Sequence, residues 1–321
     1  GTPARQKTAK SGRPTFRNFK LYHYSSLLSG VSSLKRLLRQ HDAEIVQTFL
    51  FHANVIGAFA AKSAGVARIY SGIRVADPSR WRMMLERFAM RRVDGIVCVS
   101  QSVADQMASK LGIPQAKLQV IPNGIDLSNT PERALLDKTQ FGIAAERRIL
   151  LCVGRLHEQK GFDWLLALAP ELFRRLPEHD VVILGEGPER NTLSELAIGL
   201  GIQDRVHLVG WRADVPQWMH AAEMLLLPSR WEGMPNVLIE AMGLGLPVVA
   251  ASVEGVREVL GALADEQAVP WGNDKAFVDA VCEIFADPSR RARLGGDNRK
   301  RVQSDFSLQA MIAKYEELYS S

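Results

Sequence analysis

Short apolar runs alternate with helical stretches along most of this chain, and that rhythm restricts the fold more than any other feature. "AEIVQTFL" (43–50) reads as a strand, "ANVIGAFAAKSAG" (53–65) as a helix stopped by Gly65, and "ARIYSGI" (67–73) as the next strand. An amphipathic helix follows in "SRWRMMLERFAMRRV" (79–93), then a strand in "DGIVCVS" (94–100). "QSVADQMASKLG" is a helix that ends at Gly112, and "LQVIPNGID" (118–126) is a strand running into a turn. A βαβ succession of this kind predicts a parallel sheet with helices on both faces.

After a polar stretch at 127–147 the rhythm restarts. "RILLCVGR" (148–155), "HDVVILGEG" (179–187), "RVHLVGW" (205–211), "EMLLLPS" (223–229) and "LPVVAAS" (246–252) read as strands with helices between them. The predicted class is α/β, with two doubly wound Rossmann-like domains in series and a hinge near Asn123–Asp126. The expected division is a basic tail or loop at 1–20, an N-terminal domain at 21–125, a C-terminal domain at 126–305, and a last helix at 306–321. That helix carries an apolar stripe at Leu308, Met311, Ile312, Tyr315 and Leu318.

Composition narrows the function classes. Of 321 residues, 46% are hydrophobic and 23% charged, as in a globular protein. No apolar run reaches the roughly 18 residues needed to span a bilayer, and no secretory segment is visible. Cys98, Cys152 and Cys282 are far apart and each lies among apolar residues, which reads as core thiols in a reducing compartment. Neither metal-ligand spacing nor an Asp-x-Asp pair occurs, so no metal and no cofactor is expected. Residues 1–122 carry 19 Lys+Arg against 6 Asp+Glu, and the remainder carries 21 against 29. A basic N-terminal half suits an anionic membrane surface or an anionic acceptor; the plainer reading is a solvated surface.

Ligands of doubly wound sheets bind at the carboxyl ends of the strands, so the residues after each strand are the candidates. After "ILLCV" comes "GRLHEQKG": Gly154 allows a tight turn, and Arg155 and Lys160 supply a fork and a point charge suited to a diphosphate. After "VVIL" comes the tight loop "GEGPER". After "RVHLVG" come Trp211 and Arg212, where Trp211 reads either as a packed aromatic or as a neighbour of a nucleobase. After "EMLLLPSRW" come Glu232, Gly233, Met234 and Pro235, then a helix over about 235–242. Its N-terminal N–H groups form a ready anion site, with Pro235 in the first turn and Glu240 near the far end. Glu232 and Glu240 are too far apart to act as an acid–base pair on one bond, and suit two ends of an extended ligand.

Taken together, "VIPNGID", "VGRLHEQKG", "GEGPER" and "VHLVGWRADVPQWMHAAEMLLLPSRWEGMPNVLIEAMGLGLPVVA" resemble retaining, nucleotide-sugar-dependent glycosyltransferases of family 4, with the GT-B fold, from about residue 40 to the end. The Glu-x7-Glu spacing of Glu232 and Glu240 is the hallmark of that family. The resemblance implies that Glu240 accepts from ribose hydroxyls, Glu232 holds the donor sugar, and Arg155 and Lys160 neutralise the leaving diphosphate. It also implies that the Gly233 and Met234 N–H groups hold sugar and phosphate, that Trp211 and Arg212 lie beside the base, and that the last helix braces the first domain. The implied activity is that of a hexosyltransferase, acting without metal on a glycan or lipid-linked acceptor in cell-envelope assembly. The implied donor is a nucleoside diphosphate sugar, with UDP the commonest nucleotide in the family and GDP and ADP the alternatives. The implied location is cytoplasmic, peripheral at the inner face of the membrane.

Two departures stand out. The family opens with a strand and a Gly-rich loop, whereas this chain opens with "GTPARQKTAKSGRP", so the N-terminal domain is expected to lack both. Gln47 and Phe49 occupy the positions of a usual His-x-His, His52 remains, and "YSGIRVADP" lacks a further histidine. His52, Arg74 and Asp77 are therefore the acceptor-side candidates. The alternatives are a nucleotide-sugar-binding protein or inactive fragment without turnover, and a basic nucleic-acid-binding module. "RNFKLYHY" offers little to the latter, and no nucleic acid is expected.

Overall fold

The computed structural model describes residues 29–74, 80–127 and 136–320; Asp77 and the basic segment 1–20 lie outside them. Strands β1 (Ile45–Phe49), β2 (Arg68–Ile73), β3 (Gly95–Cys98) and β4 (Leu118–Val120) form one sheet in the order β1-β2-β3-β4. Strands β5 (Arg148–Val153), β6 (His179–Leu184), β7 (Val206–Gly210), β8 (Met224–Leu227), β9 (Val248–Ala251) and β10 (Ala268–Val269) form a second, ordered β10-β9-β8-β5-β6-β7. Every pairing in both sheets is parallel. Among the described residues β1 is the edge of the first sheet, paired only with β2.

The crossovers are helical. In the first sheet α1 (described over 29–40) leads into β1, and the crossovers are α2 (Phe51–Ala64), α3 (Arg80–Met90) and α4 (Gln101–Leu111). In the second they are α5 (Phe162–Arg175), α6 (Arg190–Gly199), α7 (Val215–Ala221), α8 (Asn236–Gly243), α9 (Val256–Leu260) and α10 (Ala264–Gln267). The chain ends in α11 (Asp274–Ala286), α12 (Pro288–Asp305) and α13 (Leu308–Ser320). Local chemistry accounts for the ends. Ser100 Oγ accepts from the Val103 N–H at the start of α4, and left-handed Gly112 closes it. Gly65 closes α2 in the same way.

Strands β5, β6, β8 and β9 of the second sheet are buried on both faces, which is why they read as apolar runs rather than as alternating ones. Successive residues still part company. Ile149 and Leu151 join one apolar cluster with Val182, Leu225 and Val248, while Leu150 and Cys152 join another with Val181, Met224 and Val249. The three cysteines are buried; burial pushes the Cys98 thiol up to about 12 and raises those of Cys152 and Cys282 as well, so all three are inert core groups.

The chain then returns to its first half. Ile125 and Leu308 are joined through backbone bonds at the start of α13, with Ile125 N–H donating to Phe306 O at 2.9 Å and Leu308 N–H to Ile125 O at 3.0 Å. Farther along, Tyr70 Oη donates to Leu318 O at 3.2 Å and Arg68 to Tyr319 O at 2.6 Å. Leu318 packs with Tyr70, Val97 and Ile121 on one face of the first sheet. The apolar stripe of α13 is thus spent partly on the first domain.

Two sequence expectations are corrected. Pro235 is extended (φ −73°, ψ 111°) and caps α8 from outside, so the helix begins at Asn236. Gly154 does not adopt a positive φ; what it supplies is room, because a Cβ there would meet the Lys160 methylenes at 3.2 Å.

Candidate active site

The strand order of the second sheet switches at β5, with β6 on one side and β8 on the other. All strands point the same way, so the loops after β5 and β8 leave side by side and open a crevice. Those loops are bound together. Arg230 N–H donates to Gln159 O at 2.8 Å, Gln159 Nε2 donates to Trp231 O at 3.0 Å, and the Arg230 guanidinium grips Asp163 at 2.8 and 2.7 Å. The approach is close at Gly161, where φ is +64° and a Cβ would lie 2.1 Å from the Pro228 carbonyl oxygen; only glycine meets both conditions.

This brace sets two charges face to face. Lys160 Nζ lies 2.5 Å from Glu232 Oε1, which also accepts from Ser229 Oγ at 2.8 Å. Glu232 and Ser229 are buried, so the carboxylate is held in a low-dielectric pocket by one cation and one hydroxyl. Arg155, one residue past Gly154, is exposed and has no carboxylate partner among the described residues.

Opposite stand the carboxyl ends of β1 and β2. A cleft of about 420 Å³ is lined on that side by His52, Gly72, Arg74, Arg82 and Glu86, and on the other by Arg155, His157, Gln159, Lys160 and Trp231. The Arg74 guanidinium sits 5.2 Å above the Phe49 ring and donates to Asn123 Oδ1 at 2.5 Å. Phe49, one of the two departures from His-x-His, is therefore the aromatic support of Arg74. Asn123 is buried between the domains: its Nδ2 reaches Asn236 Oδ1 at 2.7 Å and Met234 O at 3.3 Å, and its N–H approaches Met234 Sδ at 3.2 Å. One amide side chain thus ties a cation of the first domain to the loop that enters α8. Asn123→Ala is expected to lower stability by about 1–3 kcal/mol, because buried partners lose their hydrogen bonds; urea unfolding beside the wild type measures it.

The first of the residues expected from the sequence, His52, Arg74, Arg155 and Lys160, line this cleft together, and Glu232 lies directly behind Lys160. Met234 is buried and joined to the cleft wall through Asn123. The Gly233 and Met234 N–H groups donate to no backbone or side-chain acceptor among the described residues. Glu240, Trp211 and Arg212 are not among the residues lining the cleft. Glu240 is half-buried on α8 with no hydrogen-bond or ion-pair partner among the described residues, and desolvation raises its carboxyl above the usual range. Trp211 is 72% exposed, and Arg212 is occupied by Asp214 at 2.7 and 2.8 Å while stacking on Phe141 at 4.9 Å. Sequence reasoning missed Asn123, Gln159, Ser229 and Trp231; each sits inside a quoted motif, but the partners of Asn123, Gln159 and Trp231 lie a domain or a loop away, and the Ser229 bond to Glu232 depends on how their shared loop folds back. Among the described residues no group of three or more His, Cys, Asp or Glu side chains is placed to hold a metal.

Two Rossmann-like domains facing each other across strand-end loops, with cations set against a buried carboxylate, define a glycosyltransferase of the GT-B class. Known proteins give the same assignment. The chain belongs to glycosyltransferase family 4: the profile of that family matches residues 2–129, and the profile "Glycosyl transferases group 1" matches residues 147–287. It is 25% identical to the Escherichia coli UDP-Gal:alpha-D-GlcNAc-diphosphoundecaprenol alpha-1,3-galactosyltransferase, over 91% of this chain and 79% of that one. It is 29% identical to the GDP-mannose-dependent alpha-(1-6)-phosphatidylinositol monomannoside mannosyltransferase of Mycolicibacterium smegmatis, over 98% and 86%. The structure of Anabaena HepE in complex with UDP and glucose superposes with a TM-score of 0.82 at 21% identity, covering 90% of this chain and 81% of that one.

Proposed function

We propose that this enzyme transfers a glycosyl group from a UDP-sugar to a hydroxyl of a glycan or lipid-linked acceptor, with retention of anomeric configuration and without a metal. The bond from the anomeric carbon to the leaving phosphate oxygen breaks, a bond from the same carbon to the acceptor oxygen forms, and the acceptor hydroxyl's proton passes to the departing diphosphate. The observation that carries this reading is the Lys160–Glu232 pair at 2.5 Å, with exposed Arg155 lining the same interdomain cleft.

Arg155 and Lys160 meet the charge that grows on the departing diphosphate, and fixed cations of this kind do most of the work of such a reaction. Gly233 and Met234 add two N–H groups that have no acceptor among the described residues, next to the N-terminus of α8, where the helix dipole favours an anion. Glu240, desolvated and without a partner among the described residues, takes the ribose hydroxyls, and Glu232 takes hydroxyls of the sugar. With these cations in place no divalent ion is required. His52 and Arg74 form the acceptor wall. The relatives' own donors, UDP-Gal in one and GDP-mannose in another, support a nucleoside diphosphate sugar. The HepE complex supports the uridine choice.

A screen of binding and sugar release against UDP-, GDP- and ADP-sugars tests this, with EDTA present throughout. Binding of a UDP-sugar with slow sugar release is the expected result. Tight binding of a GDP- or ADP-sugar instead would correct the nucleotide, and binding without release would favour a non-catalytic binder. No binding to any of them would overturn the donor site.

A further inference from the structure

The outward face of α3 carries apolar side chains where a surface helix normally carries polar ones. Trp81 is 55% exposed, Met84 68%, Leu85 40% and Phe88 49%. Their spacing of i, i+3, i+4 and i+7 puts them on a single stripe. The face turned inward holds Ala89 and Met90 but also Glu86, which is only 6% exposed. The amphipathicity of this helix is therefore directed outward, and its one carboxylate is withdrawn from the surface.

Cations frame the stripe. Arg82 lies over the Trp81 ring at 5.5 Å, and Arg92 lies over the Phe88 ring at 4.0 Å. Arg87 and Arg91 are exposed. An apolar stripe with tryptophan, flanked by arginine, on a helix that exposes no carboxylate, matches the chemistry of an anionic bilayer surface: rings and aliphatic groups enter the headgroup layer, and guanidinium groups meet the phosphates. A second copy fits less well, because two-fold pairing of this face would bring its arginines against their own equivalents. The placement also has a functional sense, since Arg82 and Glu86 of the same helix line the cleft.

We propose that α3 is the membrane-docking element, seating Trp81, Met84, Leu85 and Phe88 in an anionic lipid surface so that the acceptor side of the cleft opens next to the bilayer. The proposal extends the acceptor side of the proposed function and does not depend on which nucleotide sugar is bound.

Co-sedimentation of the full chain with vesicles of phosphatidylcholine alone, and of equimolar phosphatidylcholine and phosphatidylglycerol, tests it. The expected result is binding to the mixed vesicles only, weakened by salt. Met84→Ser/Phe88→Ser is expected to weaken binding about tenfold or more. Arg87→Glu/Arg91→Glu is expected to weaken it at least about thirtyfold, since losing each basic residue at an anionic surface costs roughly fivefold and the new carboxylates add repulsion. Unchanged melting temperature and nucleotide binding in both variants would separate loss of docking from misfolding or a failed donor site. Absence of binding to mixed vesicles, or equal binding by Met84→Ser/Phe88→Ser, would overturn the proposal. So would a concentration-dependent dimer of the wild type that this variant abolishes, since the face would then belong to a second copy.

Discussion

Lys160→Ala is expected to lower turnover by about 10²–10³-fold, the usual loss when one preorganised group that stabilises transition-state charge is removed. The same substitution should also destabilise the chain. It leaves Glu232 buried with Ser229 as its one remaining side-chain partner among the described residues, and breaking a buried pair from one side costs about 3–5 kcal/mol. The two effects can be parted. Lys160→Met/Glu232→Gln removes both charges and keeps most of the volume, so it should recover stability while turnover stays low. Melting temperature and single-turnover sugar release, measured on the same preparations, give the answer. If the double variant recovered activity along with stability, Lys160 would be a structural cation and not the group that meets the leaving diphosphate.

Glu240→Gln should separate stability from binding in the opposite direction. In the ligand-free chain the Glu240 carboxyl is half-buried, has no partner among the described residues, and is raised above the usual range by desolvation. A carboxyl raised in the fold favours the folded state when protonated, and that advantage is lost as pH rises from its unfolded value through its folded one. At neutral pH the wild type therefore carries the full desolvation penalty and Glu240→Gln does not. The variant should melt at an equal or higher temperature at neutral pH, with the gain vanishing in acid. Its affinity for the nucleotide should fall about tenfold to a hundredfold, since a hydrogen bond to a charged acceptor contributes about 1.5–3 kcal/mol. Calorimetric titration with the nucleotide found in the screen measures this. A destabilised variant with unchanged affinity would place Glu240 in the scaffold.

The motifs after β5 and β8 were legible because a strand's carboxyl end is where a doubly wound sheet exposes backbone and side chains to a ligand. Arg155, Lys160 and Glu232 stood out for that reason. The pairing of Lys160 with Glu232 did not, because 72 residues separate them and only the strand order β8-β5 brings their loops together. Asn123 shows the same limit more sharply. It sits in "VIPNGID", where the chain predicted a hinge, yet its partners Arg74 and Asn236 lie 49 and 113 residues away.

The sequence by itself determined the two parallel sheets, the helices that cross them and the residues at the strand ends, since these follow from periodicity, glycine stops and charge within a few residues. Only the tertiary structure decided which face of a helix meets the core and which loops meet across the cleft. In α3 the repeat announces an apolar stripe, and helical spacing cannot say whether that stripe turns inward or outward. Packing against its neighbours buries Glu86, Ala89 and Met90 and leaves Trp81, Met84 and Phe88 in the open. The reason is physical: a period is a property of neighbours along the chain, whereas burial depends on surfaces contributed by residues far from them in sequence.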